Sequence, residues 1–147
     1  MLYIREFELY ESEGSIIADP FDMEGGTFGE DYADAVLSAV DWLYETVTDC
    51  LIKGTVPEGG KLGNEPKQGG RVVAVSVDCD LSKVSAVTAA DAASILHVSP
   101  ARVAQMCESG RLDSWKQGGH RMVTRDSIEA RLAENPGPGR PRKVQAE

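Results

Sequence analysis

The sequence predicts an α+β chain in two parts, and three observations carry that prediction. Residues 2–80 read as strand, strand, short strand, one long helix and a final strand. Residues 87–131 read as two short helices, a hairpin and a third helix. Charge divides at the same place: residues 1–86 hold 17 Asp and Glu against 6 Lys and Arg (net −11), whereas residues 87–147 hold 7 against 9 (net +2). The basic part can approach phosphates, and the acidic part is suited to a basic protein partner.

The bulk numbers fit this division. A chain of 147 residues with 41% hydrophobic content is long enough for two small cores. Its longest apolar runs fall short of a membrane span. The opening MLYIREFELYESEG alternates and is acidic, unlike a secretory leader. Cys50, Cys79 and Cys107 have no metal-ligand spacing and suit reduced thiols in a cytoplasm.

Leu2 to Tyr10 is expected as a strand, with Tyr3, Arg5, Phe7 and Leu9 on one face and Glu6 and Glu8 on the other. Glu13-Gly14 turns the chain into a second strand, Ser15 to Asp19. Glu24-Gly25-Gly26 is a loop, and Thr27-Phe28 a brief third strand. The longest helix is expected over Tyr32 to Ile52, with Asp31 as N-cap and Asp34 three residues on. Tyr32, Val36, Val40, Leu43, Val47 and Leu51 form its apolar stripe, flanked by Trp42 and Tyr44, which are read as packing residues. Lys53 to Gly70, with six Gly and two Pro, reads as a mobile loop. Arg71 to Cys79 closes the sheet with Val73, Val75 and Val77 on one face, and Ser82 to Ala86 is expected as linker.

Gly29-Glu30-Asp31-Tyr32-Ala33-Asp34-Ala35-Val36, and Gly54-Thr55-Val56-Pro57 after the helix, resemble segments of the HicB-type antitoxins. The resemblance spans about residues 2–80. The family's usual Leu-Pro-Gly segment has no match before Gly29, and the loop after Pro57 is long. The resemblance implies a partial RNase H-like sheet that is not catalytic and binds a small basic toxin ribonuclease. The carboxylates Asp19, Asp22 and Glu24, and Asp78 with Asp80, do raise the question of a metal-dependent nuclease. They fall in turns and at strand ends, where carboxylates are usually solvated, and no motif positions them for catalysis. No enzyme activity, metal or cofactor is expected.

In the second part, Thr88 and Asp91 make a capping-box pair. Ala92, Ile95 and Leu96 are the expected buried edge of the first short helix. Ser99 caps the next helix, Pro100 takes its first position, Val103 and Met106 face inward, and Gly110 ends it. Ser99, Ala101, Arg102 and Gln105 are then available to base edges, with Arg suited to guanine and Gln to adenine. Leu112 to Lys116 and His120 to Val123 bracket a turn, a wing whose Lys116, Gln117, Gly118, Gly119, His120 and Arg121 are the expected backbone or minor-groove contacts. Thr124 caps the last helix, with Ile128 and Leu132 returning to the core.

This order makes a winged helix-turn-helix. Thr88, Val98-Ser99, Gly110-Arg111-Leu112, Gly119-His120-Arg121 and Asp126-Ser127-Ile128 together resemble the excisionase and MerR-like family over residues 86–133. Met122 stands where that family often has Arg. A small helical protein-interaction domain is the plainer reading of the same segment. Composition predicts no packed structure for the tail, Asn135 to Glu147. Its Arg140, Arg142 and Lys143 lie in GRPRK, which resembles an AT-hook core for the minor groove.

The expected domains are thus 1–81, a linker 82–86, 87–134 and a tail 135–147. The expected function is a cytoplasmic DNA-binding repressor and antitoxin that autoregulates its operon and works as a homodimer or higher oligomer. The alternative is a stand-alone regulator or excisionase-like accessory factor that uses the first domain to oligomerise.

Overall fold

The computed structural model describes residues 1–134, and the chain separates into two compact units, Met1–Leu81 and a second beginning at Ser82. In the first, β1 (Leu2–Ser12), β2 (Ser15–Pro20), β3 (Thr27–Gly29), α1 (Tyr32–Lys53) and β4 (Arg71–Asp78) follow in order. They form an antiparallel sheet in the spatial order β3-β2-β1-β4. The pleat sends Phe7 and Leu9 of β1, Ile16 and Ala18 of β2, and Val75 and Val77 of β4 to one face, where α1 covers them.

Helix α1 starts and stops where side-chain chemistry directs. The Asp31 carboxylate accepts from the Asp34 N–H at 2.8 Å, and the Asp34 carboxylate accepts from Glu30 N–H at 2.8 Å. At the other end Gly54 adopts φ 75°, and Gly54 and Thr55 donate back to Leu51 and Cys50 carbonyls. The buried face is Ala35, Ala39, Leu43 and Val47. This corrects the predicted stripe: Val36, Val40 and Leu51 sit at its margins, and Tyr32 is exposed. Two alanines in the first half of the helix bring its backbone close to the sheet. Trp42 packs edge-to-face on Phe7, with ring centroids 5.8 Å apart.

The glycine-rich segment after α1 was expected to be mobile; instead it is pinned to β1. Arg5 is buried on the helix side of the sheet, where its guanidinium donates to the carbonyls of Glu58 (2.6 Å), Pro57 (3.3 Å) and Ile4 (2.8 Å). Those bonds offset the cost of burying its charge. Glycine is needed where the chain passes: a Cβ on Gly59 (φ +86°) would lie 2.7 Å from Asp22 Cβ. The next residues of β1 point the other way. Glu6 accepts from the N–H groups of Gly63 and Asn64, and from the Asn64 side-chain amide. Glu8 accepts from Lys67 (2.8 Å), Gln68 (2.7 Å) and Gly70 (2.9 Å) N–H groups. Since Arg5 and Glu6 alternate in the pleat, residues 57–70 form a strap crossing from one face of the sheet to the other.

The strap also tunes the carboxylates that hold it. Backbone N–H donors from Asn64 and Gly63 hold Glu6 below the ordinary glutamate range. Burial pulls Glu8 upward, but the Lys67, Gly70 and Gln68 N–H groups outweigh it, with help from the Lys67 charge, so Glu8 also lies low.

A single 3-10 turn, Leu81–Lys83, spans the boundary at which the second unit begins. The second unit continues through β5 (Ala86–Thr88), α2 (Ala89–Leu96), α3 (Pro100–Glu108), β6 (Ser114–Gln117), β7 (His120–Thr124) and α4 (Arg125–Glu134). Strands β5, β7 and β6 make a small antiparallel sheet in that order. The predicted linker is therefore partly structured, and Ala86 already pairs with Thr124. The core gathers Val87, Ala92, Ala93, Val103, Met106, Leu112, Val123 and Ile128. Two expected core residues fall outside it: Ile95 is 37% exposed and Leu132 is 43% exposed. Ala93 occupies the place given to Ile95 because α2 is short and packs through alanines against its neighbours.

Candidate nucleic-acid interface

Helices α2 and α3 are held by local bonds at both ends of the turn between them. Thr88 Oγ1 accepts from Asp91 N–H at 3.2 Å, which starts α2. His97 takes a left-handed conformation (φ 59°) at its end, with His97 N–H donating to Ser94 and Val98 N–H to Ala93. Ser99 Oγ accepts from Arg102 N–H at 3.1 Å, and Pro100 occupies the first turn of α3. Gly110, at φ 82°, closes α3 through Gly110 and Arg111 N–H bonds to Cys107 and Met106 carbonyls.

This arrangement fixes which way α3 faces. Val103 and Met106 are buried, while Ala101 and Gln105 are exposed and Arg102 is half-exposed. Arg102 Nη1 donates to Gln105 Oε1 at 3.4 Å, so the two candidate base-reading side chains lie together. Ser99 is also exposed, with its oxygen engaged as the helix cap.

The wing is a hairpin in which Gln117 pairs with His120 across Gly118-Gly119. Both glycines have positive φ (58° and 85°), the geometry of a type I′ turn that follows the twist of the strands. Lys116, Gln117 and His120 are exposed, and Arg121 is half-exposed. Two of these side chains are oriented by neighbours: Trp115 Nε1 donates to Gln117 Oε1 at 3.2 Å, and Arg121 Nη1 donates to Ser114 Oγ at 3.0 Å. Met122 is half-buried between Thr88 and Trp115 in the sheet register. Arg140, Arg142 and Lys143 lie outside the described residues.

Two cations were not among the expected DNA contacts. Arg111, just after Gly110, and Arg125, at the start of α4, are exposed and form no ion pair among the described residues. Arg111 follows the Gly110 turn and Arg125 follows β7 directly, so neither lies on the α3 face or in the wing. The charge balance also needs sharpening. Residues 87–134 hold six basic and six acidic residues, so the positive excess of the second part comes from the tail.

Residues 86–136 match the family model of a helix-turn-helix domain, of the excisionase and MerR-like kind. That span covers β5 through α4, and the second unit contains a helix-turn-helix with a hairpin wing. Comparison with curated proteins and with solved structures returns no match. Among the described residues no helix is long and apolar enough to cross a membrane.

Proposed function

We propose that this chain is a DNA-binding transcriptional repressor, and that it is the antitoxin of a HicAB-like pair which represses its own operon. The DNA-binding reading is carried by α3. It is capped, anchored by Val103 and Met106, and presents Ala101, Arg102 and Gln105 outward within a segment that matches a helix-turn-helix family. The N-terminal residues of the second helix in such motifs read base edges. The wing's Lys116, His120 and Arg121 supply donors for the phosphate backbone.

The antitoxin reading is supported by the net −11 of residues 1–86, suited to covering a basic toxin ribonuclease, and by the HicB-like segments at Gly29–Val36 and Gly54–Pro57. The proposal assigns no catalysis and no cofactor. Its partners are duplex DNA, a small basic protein and further copies of the chain.

Pull-down from the native host, followed by footprinting on the upstream DNA, tests both parts. Arg102→Ala is expected to weaken binding and relax base preference, whereas Arg121→Ala weakens binding evenly across sequences. Equal losses on specific and random DNA for Arg102→Ala would remove it from base reading. A chain that captures no small basic protein and relieves no toxin-dependent growth arrest is not an antitoxin. The second reading is a stand-alone regulator whose first unit serves self-association, and the open edge of β4 favours it.

A further inference from the structure

We infer that β4 is a self-pairing edge, through which two copies of this chain join their sheets into one antiparallel sheet of eight strands. Strand β4 is the outermost strand of its sheet, and among the described residues no strand pairs with its other side. It runs eight residues, Arg71–Asp78, in unbroken register with β1. Exposed edges are usually blunted by Pro, by Lys, by a bulge or by shortness. The hexapeptide Val72–Val77 has none of these, and the charges of β4, Arg71 and Asp78, stand only at its ends. The opposite edge of the sheet is blunted: β3 is three residues long. The sheet of the first unit therefore presents one pairing-competent edge, not two, which closes as a dimer rather than a fibre.

The sequence of β4 complements itself in one register. A two-fold axis through Val75 and perpendicular to the sheet sets Val73 opposite Val77 of the second copy and Val75 opposite Val75 on the helix-covered face. Outside, Ala74 meets Ser76 and Val72 meets Asp78, so no like charges oppose. A register centred on Ala74 would instead place Arg71 against Val77. Val73, half-buried at the margin of the core, gains most from the added strand. Both helices α1 stay on the same face of the joined sheet.

The pairing itself stands on the first unit alone. Its use rests on the DNA-binding reading: each copy brings one helix-turn-helix, and two copies read two half-sites. Salt separates the two activities. Two acidic units repel, so dimerisation strengthens as salt is raised, while phosphate contacts weaken.

Sedimentation equilibrium of the full chain at high micromolar concentration, in rising salt, tests the assignment. The expected result is a dimer. Ala74→Lys with Ser76→Lys opposes lysines twice across the two-fold and is expected to weaken the dimer about tenfold. Ala74→Lys with Ser76→Glu sets Lys against Glu and restores it. Both positions are exposed, and circular dichroism checks the fold. If the double lysine variant fails to fold, hydrogen exchange on the natural chain decides, since the β4 amides must gain protection with protein concentration. A monomer throughout, β4 amides indifferent to concentration, or a dimer untouched by the lysines would overturn the inference. A dimer that binds no DNA would sink the DNA-binding reading and leave this one standing.

Discussion

Replacing Glu8 by Gln should release part of the strap. The carboxylate of Glu8 is almost completely buried and shares three N–H donors between two oxygens: Lys67 on Oε1, and Gln68 and Gly70 on Oε2. Glutamine keeps the shape but has one oxygen. If that oxygen takes the Oε2 place, the new NH2 group faces the Lys67 N–H, donor against donor. If it takes the other place, two bonds are lost. A hydrogen bond to a charged group contributes about 1.5–3 kcal/mol, so the strap should lose about 2 kcal/mol. Hydrogen exchange at Lys67, Gln68 and Gly70 is the direct assay, and those amides should exchange roughly 30 times faster. The global effect can be read separately because the chain has two tryptophans, Trp42 in the first unit and Trp115 in the second. In a Trp115→Phe background, Trp42 fluorescence should report an earlier urea midpoint for the first unit. Unchanged protection at the three amides would refute the assignment of Glu8 as the strap's anchor.

Acid should act in the same direction. Glu6 and Glu8 titrate below the ordinary glutamate value in the folded chain. Their contribution is therefore fully present above about pH 4.3, the unfolded value, and is lost as pH falls through the lowered ones; amide protection of the strap measured from neutral pH downward checks this, and Glu8→Gln should flatten the profile. Ala39→Leu should overpack the contact between α1 and the sheet and destabilise the first unit by about 1–3 kcal/mol, seen in the Trp42 urea midpoint with the second unit unaffected. Ser99→Ala removes the α3 cap and should cost the second unit about 1 kcal/mol in a denaturant melt followed by Trp115. Deleting residues 135–147 removes Arg140, Arg142 and Lys143. It should reduce the slope of log affinity against log salt by up to about 3 in a DNA titration; an unchanged slope would show that the tail leaves phosphates alone.

What the sequence made legible follows from how local each signal is. Caps are short-range devices, and Asp31, Thr88, Ser99 and Gly110 could be read because each acts on residues three to five positions away. The wing was legible because two glycines with positive φ leave a hairpin few other shapes. The strap was not legible, since its partners are 39 to 62 residues away in sequence. Glycine and proline content marks an absence of regular structure, and this segment lacks it while six of its N–H groups find carboxylates. The α1 face was misread for another reason. Reading large apolar residues as the stripe passes over alanine, yet Ala35 and Ala39 face the sheet because small side chains let a helix lie close. In the candidate interface the outward residues of α3 were legible from period alone, while the bond from Trp115 to Gln117, two residues apart on one face of β6, required the side-chain geometry.

The turn between α2 and α3 bears on how such a unit could be retargeted. His97 holds a left-handed conformation that favours glycine, yet the direction of α3 is set there by two main-chain bonds, from His97 and Val98 N–H groups to Ser94 and Ala93 carbonyls. The aim of α3 thus depends on backbone closure and on the inward Val103 and Met106, not on the side chains that would touch DNA. Ala101, Arg102 and Gln105 can be exchanged without re-aiming the helix that carries them. The scaffold therefore separates address from posture, which makes those three positions suitable for randomisation in a search for new operator sequences.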